Sequence, residues 1–152
     1  MSATLRLATP GDVDVLFDIR TSVTQNHLSR QQMHALGITA EVLTEAINSA
    51  PCAWVAEWHD QPAGFAMVDL QEGELFALFV RPGLEGNGLG TLLLQQAEQA
   101  LFEHHAVIHL TTDGDPAMRA NALYRRAGWV CTAQLDARDV RFEKHRPVAA
   151  GR

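Results

Sequence analysis

The stretch LFVRPGLEGNGLGTLLLQQAE, Leu78 to Glu98, decides how this chain is read. It passes from an apolar run through a short turn into EGNGLG, Glu85 to Gly90, and on into a segment with helical patterning. Backbone amides that run into a helix N-terminus form an anion site. The N–H groups converge there, and the helix dipole adds partial positive charge. Glycines let such a backbone turn tightly and approach a phosphate with no Cβ in the way. Two phosphate loops fail to match. A P-loop requires GxxxxGK[ST], and although Gly83 to Gly88 has the glycine spacing, Leu89 and Gly90 stand where Lys and Ser/Thr are needed. A dinucleotide loop requires GxGxxG in the first βα unit, whereas this loop reads GxGxG and follows several strands.

Working outward, Glu74 to Val80, ELFALFV, is a nearly continuous apolar strand, which calls for helices on both faces of its sheet. Upstream, Cys52 to Trp58 and Gly64 to Leu70 read as strands joined by the turn His59-Asp60-Gln61-Pro62. Leu5 to Ala8 is a strand broken by Thr9-Pro10-Gly11-Asp12. A helix follows from Asp12, with Val13, Leu16, Phe17 and Ile19 on its apolar face. Thr24 to Ile38 is polar, a loop with a short helix starting near Ser29, and Thr39 caps a helix ending around Asn48. Downstream, Thr91 to Phe102 is helical. Leu89, Leu92, Leu93, Ala97, Ala100 and Leu101 are expected inward, and Gln95, Gln96, Glu98 and Gln99 outward. Ala106 to Thr111 is a strand, Pro116 to Arg126 a helix, and Trp129 to Gln134 and Val140 to His145 close as strands. The order βα(α)βββαβαββ predicts an α/β domain with a mixed sheet.

At 152 residues with 47% apolar and 20% charged content, the chain has the size and composition of one globular domain. That domain is expected over residues 1–146, with 147–152 as a flexible tail. No apolar run approaches the ~18 residues of a membrane span. The N-terminus lacks a signal pattern, so a cytoplasmic location is expected, with Cys52 and Cys131 as reduced thiols in core roles. A net charge of −6 argues against nucleic-acid binding, including a tRNA acceptor, and is compatible with a cationic small substrate such as an amine. His104, His105 and His109 lack an HExxH motif or cysteine partners, so no metal is expected.

The glycine loop between a strand and a long helix resembles the acetyl-CoA loop of the GNAT superfamily of N-acetyltransferases, patterned (Q/R)xxGxG/A. That pattern falls on Glu85, Gly86, Asn87, Gly88, Leu89 and Gly90. ANALYRRAGWV, Ala120 to Val130, resembles the second signature of that family, an ALY-x-x-x-GF passage from helix to strand. The element order matches over nearly the whole chain. Two positions depart: Glu85 replaces the usual Gln or Arg, and Ala117 replaces a frequent Asn seven residues before the tyrosine. A carboxylate facing a pyrophosphate is unfavourable, so Glu85 is expected to point outward, leaving the amides of Asn87 to Gly90 to bind.

The resemblance implies a GNAT fold: a mostly antiparallel sheet of six to seven strands, about four helices, and a splayed parallel pair at the cofactor cleft. It implies acetyl transfer from acetyl-CoA, as co-substrate, to a primary amine of a small molecule or peptide. Gly86, Asn87, Gly88, Leu89, Gly90 and Thr91 would hold the pyrophosphate, and the backbone of Leu78, Phe79 and Val80 the pantetheine arm. Tyr124, the only tyrosine, stands where the thiol-protonating tyrosine of the family stands. Glu74 has the spacing of a strand glutamate that serves as general base, on the strand face expected to carry Phe76, Leu78 and Val80. Asp69, Glu72 and His109 are alternatives. Asn26, His27 and Arg30 lie in the segment expected to contact the acceptor, and Arg119, Arg125 and Arg126 flank the cofactor cleft. Relatives are often dimers, which leaves a homodimer open. A non-catalytic acyl-CoA-binding domain of the same fold is the alternative, motivated by Glu85 and Ala117.

Overall fold

A period of two along the strands and helical stripes along the intervening segments sort this chain into a sheet and two helical layers. The computed structural model describes residues 3–25 and 27–148. Seven strands follow in chain order: β1 (Ala3–Leu7), β2 (Ala53–Trp58), β3 (Gln61–Asp69), β4 (Glu74–Val80), β5 (Val107–Asp113), β6 (Val130–Gln134) and β7 (Asp139–His145). The helices are α1 (Val13–Ser22), which follows a 3-10 turn at Pro10–Asp12, then α2 (Arg30–Ala35), α3 (Ala40–Ser49), α4 (Leu89–Phe102) and α5 (Arg119–Arg126). The strands form one sheet in the order β1-β2-β3-β4-β5-β7-β6, and of the neighbouring pairs only β4 and β5 run parallel. The expected mixed sheet is present, with five α-helices among the described residues in place of about four.

Cross-strand partners share a face, so the registers sort the side chains. Gly64, Ala66 and Val68 of β3 face α4, because a Cβ on Gly64 would meet Leu93 at 3.2 Å. Val80 and Leu78 of β4 share that face. In β7, Phe142 and Lys144 lie on it too, since Lys144 Nζ reaches α4 at Glu98 Oε1, 2.7 Å away. Tyr124 of α5 packs edge-on against Phe142, so α4 and α5 cover one face together. The opposite face of β3 and β4 carries Phe65 and Phe79 and meets α1, whose Arg20 lies over the Phe79 ring.

Several boundaries shift for local reasons. The β2–β3 hairpin turns on His59 and Asp60 alone, both at positive φ (51° and 64°), which suits the right-handed strand twist. Gln61 and Pro62 therefore belong to β3, not to the turn. Helix α5 begins at Arg119 rather than Pro116, because the Asp113 and Asp115 carboxylates accept from the amides of Asp115 and Ala117 and hold that segment in turns. Leu94, not Leu92, is buried in α4 beside Leu93, Ala97 and Leu101. Glu98, expected outward, is turned inward: it accepts from Trp129 Nε1 at 2.8 Å and from Lys144. Cys52 is buried, but Cys131 is exposed on the edge strand β6, which corrects its expected core role; the two thiols are unpaired. No helix among the described residues is long and apolar enough to cross a membrane. Residues 149–152 of the expected tail lie outside the described residues.

Candidate active site

The parallel pair supplies the opening. β4 and β5 meet only at Glu74↔His109, where the His109 amide donates to Gly73 O at 3.0 Å, and then diverge. The cause lies in β4. Met67 pairs with Ala77 and Val68 with Leu75, so Phe76 is an extra, unpartnered residue. Such a bulge bends its strand and increases the local twist. The result is a V with its vertex at Glu74 and His109 and its mouth at Leu78, Phe79 and Val80.

At that mouth the glycine loop begins α4. Gly86 and Gly88 have φ of 84° and 82°, the left-handed region in which an L side chain is strained. Among the described residues, the amides of Gly86, Asn87, Gly88, Leu89, Gly90 and Thr91 find no acceptor; the first bond of the helix runs from the Leu92 amide to Gly88 O. They are the orphan donors of a helix start. Gly90 lets α4 approach α5, since a Cβ there would meet Leu123 at 3.2 Å. Glu85 is exposed and folds back, accepting from the Gly83 amide at 2.8 Å. Asn87 Nδ2 donates to Leu84 O at 2.9 Å and braces the turn.

Glu74 and Tyr124 lie on opposite faces of the sheet. The bulge breaks the alternation of β4, so Glu74 shares its face with Ala77 and Phe79 rather than with Leu78 and Val80 as the spacing suggested. Its carboxyl is held above the ordinary range, chiefly by burial and further by Asp69 and Glu72, while His109 and Arg141 pull it down. Tyr124 is buried against Trp129 and Phe142, and burial raises its phenol well above the ordinary value. A phenol so placed stays protonated, so it has a proton to give and does not serve as a phenolate base.

Of the expected acceptor contacts, Asn26 lies outside the described residues. His27 is exposed, its Nδ1 2.9 Å from Val23 O. Arg30 is exposed too: it pairs with Asp14 at 3.0 Å and lies over the Phe17 ring. Arg119, Arg125 and Arg126 are exposed on α5, and Arg125 lies over Phe142. Among the described residues no group of three His, Cys, Asp or Glu side chains could hold a metal ion.

A family model of the acetyltransferase (GNAT) family matches residues 15–129. The chain belongs to the GNAT acetyltransferase family. Solved structures agree on the fold. The PaiA N-acetyltransferase of Thermoplasma acidophilum, in complex with coenzyme A, superposes with a TM-score of 0.75 at 17% identity, covering 96% of this chain and 100% of that one. YncA of Salmonella typhimurium, a putative acetyltransferase with acetyl-CoA, gives 0.72 at 17%, covering 99% and 98%. Naa50 of Arabidopsis thaliana, with the bisubstrate analogue CoA-Ac-MVNAL, gives 0.71 at 16%, covering 96% and 100%. No curated protein matches the chain.

Two polar residues of this GNAT chain escaped sequence reasoning. Gln25, between α1 and α2, donates to Ala117 O at 3.3 Å and accepts from the Arg119 amide at 3.0 Å. It thereby caps α5 from across the molecule, at the position where Ala117 withholds the family's Asn. Arg20 is buried on α1, and a signal for it existed. Val13, Leu16, Phe17 and Arg20 have the i, i+3, i+4, i+7 spacing of an inward stripe, so the arginine occupies an apolar position.

Proposed function

We propose that this chain transfers the acetyl group of acetyl-CoA to a primary amine of a small molecule or peptide by direct attack in a ternary complex. The observation that carries this reading is a row of unbonded amides, 86–91, at the mouth of a parallel strand pair that parts after one residue pair. The amides suit the pyrophosphate, and the open edge of β4 at Leu78, Phe79 and Val80 offers the pantetheine arm backbone bonds like those of an added strand. Acetyl-CoA supplies an activated acyl carbon and a thiolate leaving group.

The residues of the chain then divide the proton work. An ammonium must lose a proton before its nitrogen can attack. Glu74, with its raised pKa and its place at the vertex, takes that proton directly or through water. As the N–C bond forms and the C–S bond breaks, the nitrogen releases its second proton to water, and Tyr124 gives its proton to the departing sulfur from the opposite face and regains one from water. Glu85, occupied with the Gly83 amide, leaves the loop amides to the ligand. His27 and Arg30, with Asn26, lie in the segment assigned to the acceptor.

Calorimetric titration with acetyl-CoA, with NAD and ATP as controls, followed by amine-dependent CoA release, tests the reading. Selective binding and release support it. Binding without transfer to any amine would favour the non-catalytic alternative, and no binding by folded protein would remove both.

A further inference from the structure

We infer that Arg20 anchors a carboxylate of the acceptor, so that the amine acetylated is that of an amino acid or a similar aminocarboxylate. The inference rests on the acetyl-transfer reading above and names its substrate class. Arg20 is 9% exposed, yet its Nη1 is buried without a hydrogen-bond partner. Its guanidinium carbon lies 4.2 Å from the centroid of the Phe79 ring. No ion pair joins it to a described residue, whereas Arg6, Arg30, Arg81, Arg138, Arg141 and Lys144 all have carboxylate partners. Burial alone lowers its pKa, with no neighbouring carboxylate to offset it. Charges taken out of water are ordinarily paired, because an isolated one loses its hydration with nothing in return. A guanidinium carries five N–H donors in a planar fork, and a carboxylate meets two of them at once.

The location selects the acceptor as the source. Phe79 stands at the mouth of the V, and Arg20 covers it from the α1 side. The other side is closed by α4 and α5, which meet at Gly90 and Leu123. The loop amides that suit the pyrophosphate belong to α4. Arg20 therefore stands beside the mouth, on the sheet face that carries Phe79 and Glu74. A carboxylate held at Phe79 stands five residues along β4 from Glu74, on the order of 15 Å, so the amino group beside it gives its proton to Glu74 through bridging waters rather than directly.

The test compares L-amino acids with their decarboxylated amines, using wild type, Arg20→Met and Arg20→Lys. In wild type, kcat/KM is expected to favour the amino acid on the order of 10–100-fold, the usual worth of a bidentate charged contact. Arg20→Met should bring the ratio near one, and Arg20→Lys should restore part of it. Melting curves give a readout free of turnover. Amino acids at millimolar concentration should raise the Tm of wild type but not of Arg20→Met, while their amines raise neither. Arg20→Met alone should melt no lower than wild type, because an unpaired buried charge is removed.

Three results would overturn the inference: equal use of amines, a ratio unchanged in Arg20→Met, or no melting shift from any amino acid. A lower Tm for Arg20→Met with no effect of amino acids would make Arg20 a packing residue held by its stacking on Phe79. Succinyl-CoA distinguishes the other source of a carboxylate. If it replaces acetyl-CoA with simple amines in an Arg20-dependent manner, the carboxylate belongs to the acyl group and the acceptor assignment falls. Should acetyl-CoA fail to bind, the transfer reading fails separately, and the melting shift still decides Arg20.

Discussion

Glu74 and Tyr124 illustrate how burial sets the direction of proton transfer. Glu74 is held above the ordinary carboxylate range, so as a base it works only once ionised, and kcat/KM should rise with pH through that raised value. Glu74→Gln should remove this limb and lower kcat/KM about 100-fold, the lower range of general-base catalysis. A pH–rate profile of the two proteins checks it, and an unchanged limb would move the role to Asp69, Glu72 or His109. Tyr124→Phe should lower kcat by a similar factor, about 100-fold, while leaving the affinity for acetyl-CoA nearly unchanged. Single-turnover kinetics with calorimetry would separate the two effects. The apolar run ELFALFV already points to a raised pKa for Glu74, whereas the full burial of Tyr124 is not visible in its local sequence. ALYRR reads as an amphipathic helix; burial comes from what packs over it.

At the scale of the element, α4 joins two tasks. Its start binds and its middle holds the fold. Gly88 caps it at φ 82° with no side-chain cap. Gly88→Ala would strain that left-handed position by about 1–2 kcal/mol and misdirect the loop amides. Affinity for acetyl-CoA should therefore fall more than stability does, as calorimetry beside thermal melts would show. In the middle, Glu98 ties α4 to Trp129 and Lys144, with side chains of Glu98 and Lys144 only 13% and 17% exposed. Glu98→Ala should destabilise by about 3 kcal/mol, because it leaves the Lys144 charge and the Trp129 N–H without partners, and adding Lys144→Met should recover part of the loss. Denaturant unfolding of the three variants measures the coupling. The helix itself was legible from its apolar period. The inward turn of Glu98 was not, because its reason is an ammonium forty-six residues away, which no window on α4 contains.

For the whole molecule, the decisive feature is that two helical layers cover the sheet unequally. α4 and α5 close one side of the V, while α1 and its Arg20 stand on the other. Gln25 ties the α1–α2 loop to the start of α5, which joins the segment after α1 to the segment after β5 by side-chain hydrogen bonds. An added strand-like ligand should slow amide exchange along 78–80 and in the loop 86–91, with little change in β2 and β3, which are paired on both edges. Hydrogen exchange with and without acetyl-CoA checks this. Uniform protection across the sheet would mean a global stabilisation rather than a docked arm.

The sequence by itself determined the element order, the mixed sheet and the glycine loop with its helix. These follow from apolar period, turn chemistry and the backbone freedom of glycine, all of which act over a few residues. The tertiary structure alone decided where β4 bulges, hence which face Glu74 takes, and it alone left Arg20 buried over Phe79 with no ion-pair partner among the described residues. A bulge is a mismatch between two strands, and an unpaired charge is defined by every group that packs around it. Both are relations between segments distant in sequence, and they exist only once the chain has closed on itself.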